Sequence, residues 1–96
     1  MGVSTAKIRR HVIIKGRVQG VNFRNATKQE ADQLGIVGWV KNLEDGRVEA
    51  MFEGTPDAMQ RLIEWCKRGP PAAEVEEVRV APESAASVLI RFQVIR

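Results

Sequence analysis

Apolar residues recur along this chain at two spacings, and the switch from one spacing to the other lays out its elements. From Ile8 to Lys15 the period is two: Val12 and Ile14 face one side of a predicted strand, and His11, Ile13 and Lys15 the other. Phe23, Ala26, Thr27, Ala31 and Leu34 then recur three and four apart. Gly35 follows as a C-terminal stop, so a helix is predicted over 23–34. Period two returns over Ile36–Leu43 and again over Arg47–Glu53, where Val48, Ala50 and Phe52 alternate with Glu49, Met51 and Glu53. Glu44-Asp45-Gly46 between them is a hairpin turn. Thr55 as cap and Pro56 at the first helical position open a second helix, with Met59, Leu62, Ile63 and Cys66 on its buried face. Gly69-Pro70-Pro71 stops it. Val75, Val78 and Val80 mark a fourth strand, and residues 88–95 a closing one. Residues 1–7 are small and polar and are expected to fray.

Strand, helix, strand, strand, helix, strand is the order of two split β-α-β units. The expected fold is therefore α+β: a ferredoxin-like β-α-β-β-α-β sandwich, an antiparallel sheet with two helices on one face and an additional C-terminal strand. The whole of residues 1–96 is expected to form one domain. In this topology strands one and two run parallel with strand three between them. Their C-terminal ends then meet at one edge of the sheet, about 9–10 Å apart. That edge brings the loop after Lys15 close to Asn42, and Lys15, Arg17, Arg24, Lys41 and Arg47 are expected to cluster there.

Composition narrows the class. At this length a chain buries somewhat over about 60% of its unfolded surface, enough for a two-layer core. The single Cys66 excludes an internal disulfide, and no Cys/His cluster has metal-ligand spacing. No apolar run is long enough to cross a membrane, and no signal peptide or myristoylation motif is present, so a cytoplasmic protein is expected. The net charge of +3 is unevenly spread: residues 1–47 carry nine Lys/Arg against four Asp/Glu, and residues 48–96 six against eight. The basic half suits an anionic ligand.

That half contains Gly16-Arg17-Val18-Gln19-Gly20-Val21-Asn22-Phe23-Arg24. Glycines let the backbone N–H groups converge, and a helix N-terminus supplies further free donors, so the stretch can cradle an anion. Asn22 is expected to cap the helix with its side chain. Arg24, in the first turn, opposes the helix dipole unless an anion sits beside it. Taken alone, the stretch also reads as an ordinary strand-to-helix loop with solvated arginines. It is neither a P-loop nor a dinucleotide fingerprint. Asn42 likewise reads either as a turn-entry residue or, across from the loop, as part of a site.

These residues resemble the acylphosphatase family. Gly16-Arg17-Val18-Gln19-Gly20-Val21-x-Phe23-Arg24 is similar to its first signature, and Gly38-Trp39-Val40-x-Asn42-x-x-x-Gly46-x-Val48 to its second. The resemblance implies hydrolysis of the carboxyl-phosphate anhydride of small acyl phosphates, releasing a carboxylate and inorganic phosphate, by a small monomer that needs no metal or cofactor. It implies that Arg24 and the loop N–H groups of Gln19, Gly20, Val21, Asn22 and Phe23 bind the phosphate, and that Asn42 orients the attacking water. The role of Arg17 stays open between ligand contact, local potential and a solvated loop cation. Cys66 sits on a core stripe, and Ser4, Ser84 and Ser87 lie outside the loop, so no nucleophile is expected. Such phosphoryl transfer can run on positioning and charge stabilisation.

Two other classes are compatible with this architecture. A single-stranded RNA binder on this architecture stacks bases on aromatics of the two central strands. Strand one has none and strand three only Phe52, so no nucleic acid is expected. A non-catalytic module that holds an acyl- or carbamoyl-phosphate is the remaining alternative, and turnover separates it from the enzyme.

Overall fold

Alternation within each strand sorts side chains between a covered and an open side of one sheet. Val12, Ile14, Val40, Val48, Ala50 and Phe52 are all fully buried, whereas Ile13, Trp39, Glu49 and Met51 between them are only partly so. The computed structural model describes residues 6–85 and 87–96, so most of the expected frayed segment, residues 1–5, lies outside the described residues. The elements run β1 (Ile8–Arg17), α1 (Phe23–Leu34), β2 (Val37–Asn42), β3 (Val48–Gly54), α2 (Pro56–Arg68), β4 (Glu74–Pro82) and β5 (Phe92–Ile95). The sheet order is β4-β1-β3-β2-β5, the ferredoxin-like arrangement with one strand added.

β3 lies antiparallel between β1 and β2, with Ile14 and Asn42 both paired to Val48. The ends of β1 and β2 therefore meet at one edge. The four ferredoxin-like strands pair antiparallel as expected, and the added strand departs from that pattern. β5 pairs with β2 in parallel, Val40 opposite Val94 and Lys41 opposite Ile95, and the sheet is mixed. β4 and β5 are the two opposite edges of the sheet, and residues 83–91 connect them. Arg9, only 7% exposed, ties that connection down: its guanidinium donates to Glu53 Oε1 at 2.9 Å and to the Ser87 carbonyl at 2.6 Å.

β5 is also shorter than the apolar run predicts. Val88 and Ile90 are exposed, because the strand joins β2 only where Gly38 N–H donates to the Arg91 carbonyl at 3.1 Å.

Both helices form where the periodicity places them. α2 is capped by Thr55, whose hydroxyl accepts from Ala58 N–H, and Asp57 lies in its first turn. It buries Ala58, Met59, Leu62 and Cys66, with Ile63 partly buried against the core. α1 begins differently, and its start belongs to the site.

Candidate active site

The loop between β1 and α1 is held at both ends by core packing. Val18 and Phe23 are 1% and 2% exposed, and the Phe23 ring packs against Trp65 with centroids 5.6 Å apart. The bend starts at Gly16, where a bulge shifts the β1–β4 register. Gly16 has φ +135°, and a Cβ there would collide with the Glu74 carbonyl, so only glycine fits. Gly20 and Asn22 take left-handed conformations with φ of 74° and 67°.

The left-handed backbone of Asn22 corrects the expected cap. Asn is among the few residues that tolerate this region, and here it adopts it while its side chain accepts no capping hydrogen bond. Its carbonyl still accepts from Ala26 N–H at 3.1 Å. The first turn of α1 contains no acidic residue. The first N–H groups of α1 thus have neither a side-chain cap nor a carboxylate beside them, and they open onto a small cavity. Val18, Gly20, Asn22, Phe23, Arg24, Asn25 and Asn42 line that cavity, about 110 Å³ in volume.

Asn42, the last residue of β2, occupies the opposite wall. Its Oδ1 is buried and has no hydrogen-bond partner among the described residues. An unpartnered buried acceptor costs about 1–3 kcal/mol, and a donor brought by a ligand or a water would offset that. Arg24 is partly buried, and it donates from one terminal nitrogen to the Ile95 carbonyl at 2.9 Å. The guanidinium is thereby hung between the start of α1 and the end of β5.

The structure brings Gly20, Asn22, Phe23, Arg24 and Asn42 around one cavity. Gln19 is not among the lining residues, and its side chain reaches across to the β2–β3 hairpin. The Gln19 side-chain amide donates to the Leu43 carbonyl at 2.7 Å and to the Arg47 carbonyl at 2.9 Å. Those two residues close the β2–β3 hairpin, where Leu43 N–H donates to the Arg47 carbonyl. Val21 packs against the core.

The expected basic cluster does not form at the cavity, where Arg24 is the one cation among the lining residues. Arg17 faces Glu74 at 3.5 Å. Lys41 lies 3.5 Å from Glu49 and over the Trp39 ring, on the open side of the sheet. Lys15 and Arg47 line a separate cleft with Ile13, Glu77 and Arg79. Arg47 also holds Asp45, whose carboxyl lies below its usual range because the Arg47 backbone N–H donates to it. Strand phase explains this outcome: Lys15, Lys41 and Arg47 alternate with the buried positions, whereas Asn42 shares their side.

Asn25 was not singled out from the sequence, although its place directly after Arg24 marks it. Past Arg24, Asn25 and Asn42 the cavity opens into a wider cleft bounded by Val94 and Arg96. No local signal places those two residues, because their position follows from the long-range pairing of β5. No group of three or more His, Cys, Asp or Glu that could hold a metal ion occurs among the described residues. No described helix is long and apolar enough to cross a membrane.

Comparison with known proteins bears on this arrangement. The family model described as Acylphosphatase matches residues 10–94. A protein from Gloeobacter violaceus named an acylphosphatase is 57% identical over 89 residues, covering 93% of this chain and 95% of that protein. Another of the same name from Syntrophobacter fumaroxidans is 51% identical over 88 residues, covering 92% and 91%. The crystal structure of acylphosphatase from Bacillus subtilis superposes with a TM-score of 0.89 at 38% identity, covering 93% of this chain and 99% of that one.

Proposed function

Since the chain belongs to the acylphosphatase family, we propose that its cavity hydrolyses acyl phosphates to a carboxylate and inorganic phosphate, with Arg24 and Asn42 as the catalytic residues. The observation that carries this reading is the buried, unpartnered Oδ1 of Asn42 on the wall of a cavity. The other walls are the Arg24 guanidinium and the uncapped start of α1.

The phosphoryl group sits against the N–H groups of the Gly20–Phe23 turn and the N–H donors of Arg24 not engaged with Ile95. These are preorganised donors, which need no reorientation as charge shifts in the transition state. Gln19 contributes its backbone N–H and, through its side chain, the position of the loop. Asn42 Oδ1 accepts a hydrogen bond from the attacking water and so fixes where the water's lone pair points. The water oxygen forms a bond to phosphorus as the bond from phosphorus to the acyl oxygen breaks. The electron pair leaves with the carboxylate, and the water's proton passes to a non-bridging phosphoryl oxygen. The carboxylate is a good leaving group, so a protein acid is not required. Positive charge comes from Arg24 and the helix start, and the scheme therefore needs no metal. On this reading the protein acts as a cytoplasmic, single-domain monomer on small acyl phosphates, with no nucleic-acid partner.

The test is hydrolysis of benzoyl phosphate with a chelator present, by the wild type and by Arg24→Ala and Asn42→Ala, each checked for folding by circular dichroism. Turnover that falls at least about a hundredfold in both folded variants is expected. A folded wild type that binds phosphate competitively with benzoyl phosphate but releases no product overturns the hydrolase reading in favour of a binding module.

A further inference from the structure

The phosphate-sized cavity and the wider cleft share Arg24, Asn25 and Asn42. The first holds about 110 Å³ and the second about 540 Å³. A phosphoryl group held in the first has its remaining substituent directed either to solvent or into the second. We infer that the wider cleft is the acyl subsite, and that Arg96 and Asn25 on its walls select acyl groups that carry a carboxylate of their own. The inference rests on acyl-phosphate hydrolysis at the cavity.

Three observations carry it. The first is placement. β5 is held in register against β2, with Val94 opposite Val40, and its Ile95 carbonyl accepts from Arg24. Val94 and Arg96 flank that bond along the chain, Val94 within the strand ladder and Arg96 directly after it.

The second is charge. The cleft is lined by Arg24, Asn25, Asn42, Val94 and Arg96, with no acidic side chain among these residues. Arg24 is engaged by the phosphoryl group, which leaves Arg96 as the cation facing the acyl end. A guanidinium presents a planar fork that matches a carboxylate. Asn25 is exposed in the first turn of α1, and its amide can donate to the same group or to the acyl carbonyl oxygen.

The third is polarity. Val94 is the one apolar residue of the lining. A purely apolar acyl group would therefore cover polar walls without satisfying them, and desolvating them disfavours it. A carboxylated acyl group meets a partner there. Arg96 is exposed, so the discrimination is modest and screened by salt.

The experiment compares benzoyl phosphate with 4-carboxybenzoyl phosphate, which differ by one carboxylate placed too far from the anhydride to attack it. Each kcat/KM is divided by the rate of spontaneous hydrolysis of the same compound, and the ratio of the two is the readout. The wild type is expected to prefer the carboxylated compound by about three- to tenfold at low salt. The preference is expected to shrink at about 0.5 M salt. Arg96→Gln is expected to bring the ratio close to one, and Asn25→Ala to lower it by a smaller factor. A merely structural role for Arg96 would slow both compounds alike and leave the ratio unchanged, which overturns the inference. Turnover of both compounds by the wild type without preference removes the subsite alone. Turnover of neither removes the hydrolase reading, and the subsite with it.

Discussion

Gln19 is tied to Leu43, the residue that directly follows Asn42. The Gln19 side-chain amide, on the loop before α1, donates to the Leu43 carbonyl at 2.7 Å. One side chain thus fixes the distance between the two walls of the cavity, the loop on one side and the end of β2 on the other. Gln19→Met keeps the length of the side chain and removes both donors. It is expected to lower kcat about 10–100-fold, as a small misplacement of the water relative to the phosphoryl group does. Inhibition by inorganic phosphate, which depends on the loop and Arg24, should change by less than about threefold. Steady-state kinetics with phosphate as competitor checks both values, and a parallel loss of phosphate affinity would assign Gln19 to binding instead.

Arg24→Lys tests the geometry of the guanidinium. Lysine keeps the charge but cannot donate to the Ile95 carbonyl and to the phosphoryl group from one rigid fork. Activity is expected to fall about 10²–10³-fold, close to the loss in Arg24→Ala. Restoration of more than about a tenth of wild-type activity by lysine would show that charge alone suffices.

Asn42→Ala separates activity from stability. It removes the buried acceptor that has no partner, so the variant is expected to be at least as stable as the wild type while losing about 10²–10³ in rate. Thermal unfolding followed beside turnover reads both. A clear drop in Tm would mean that Oδ1 is satisfied in the folded protein.

The backbone plan was legible because its signals are local. Thr55-Pro56 before Met59, Leu62 and Cys66 is a start signal followed by an amphipathic stripe, and the helix lies over Pro56–Arg68. Gly35 stops α1 through its N–H to the Ala31 and Asp32 carbonyls. Features that depend on distant partners were not legible. The direction of β5 follows from which edge residues 83–91 reach, and the apolar Val88 and Ile90 look like strand although they lie exposed. Asn22 can either cap a helix or adopt a left-handed backbone, and only the tertiary path of the loop selects the second. At the site, the loop and Asn42 could be paired from topology, whereas the side-chain role of Gln19 and the cleft residues Asn25, Val94 and Arg96 could not.

Cys66 gives a prediction in pH. Burial on α2, and to a smaller extent the nearby Glu30, push its thiol up from 9.0 to about 12. The thiol is therefore expected to resist maleimide at pH 8 until the protein is unfolded. Above pH 9 the unfolded chain loses this proton while the folded chain keeps it. Stability is then lost as pH rises from 9 towards 12, by about 1.4 kcal/mol per unit from this group. Urea titrations at pH 8, 9 and 10 compared with Cys66→Ala isolate the effect, since the alanine variant lacks this slope.

The parallel pairing of β5 along β2 has a consequence for the protein among its own copies. Without those four residues, β2 would present a row of open N–H and C=O groups beside the apolar Val37 and Trp39, a template on which a second chain could add a strand. With them in place the outermost ladder is short, and Arg91 and Arg96 bracket it. Like charges at both ends repel an identical neighbour. The segment that finishes the walls of the cleft also blunts this edge of the sheet.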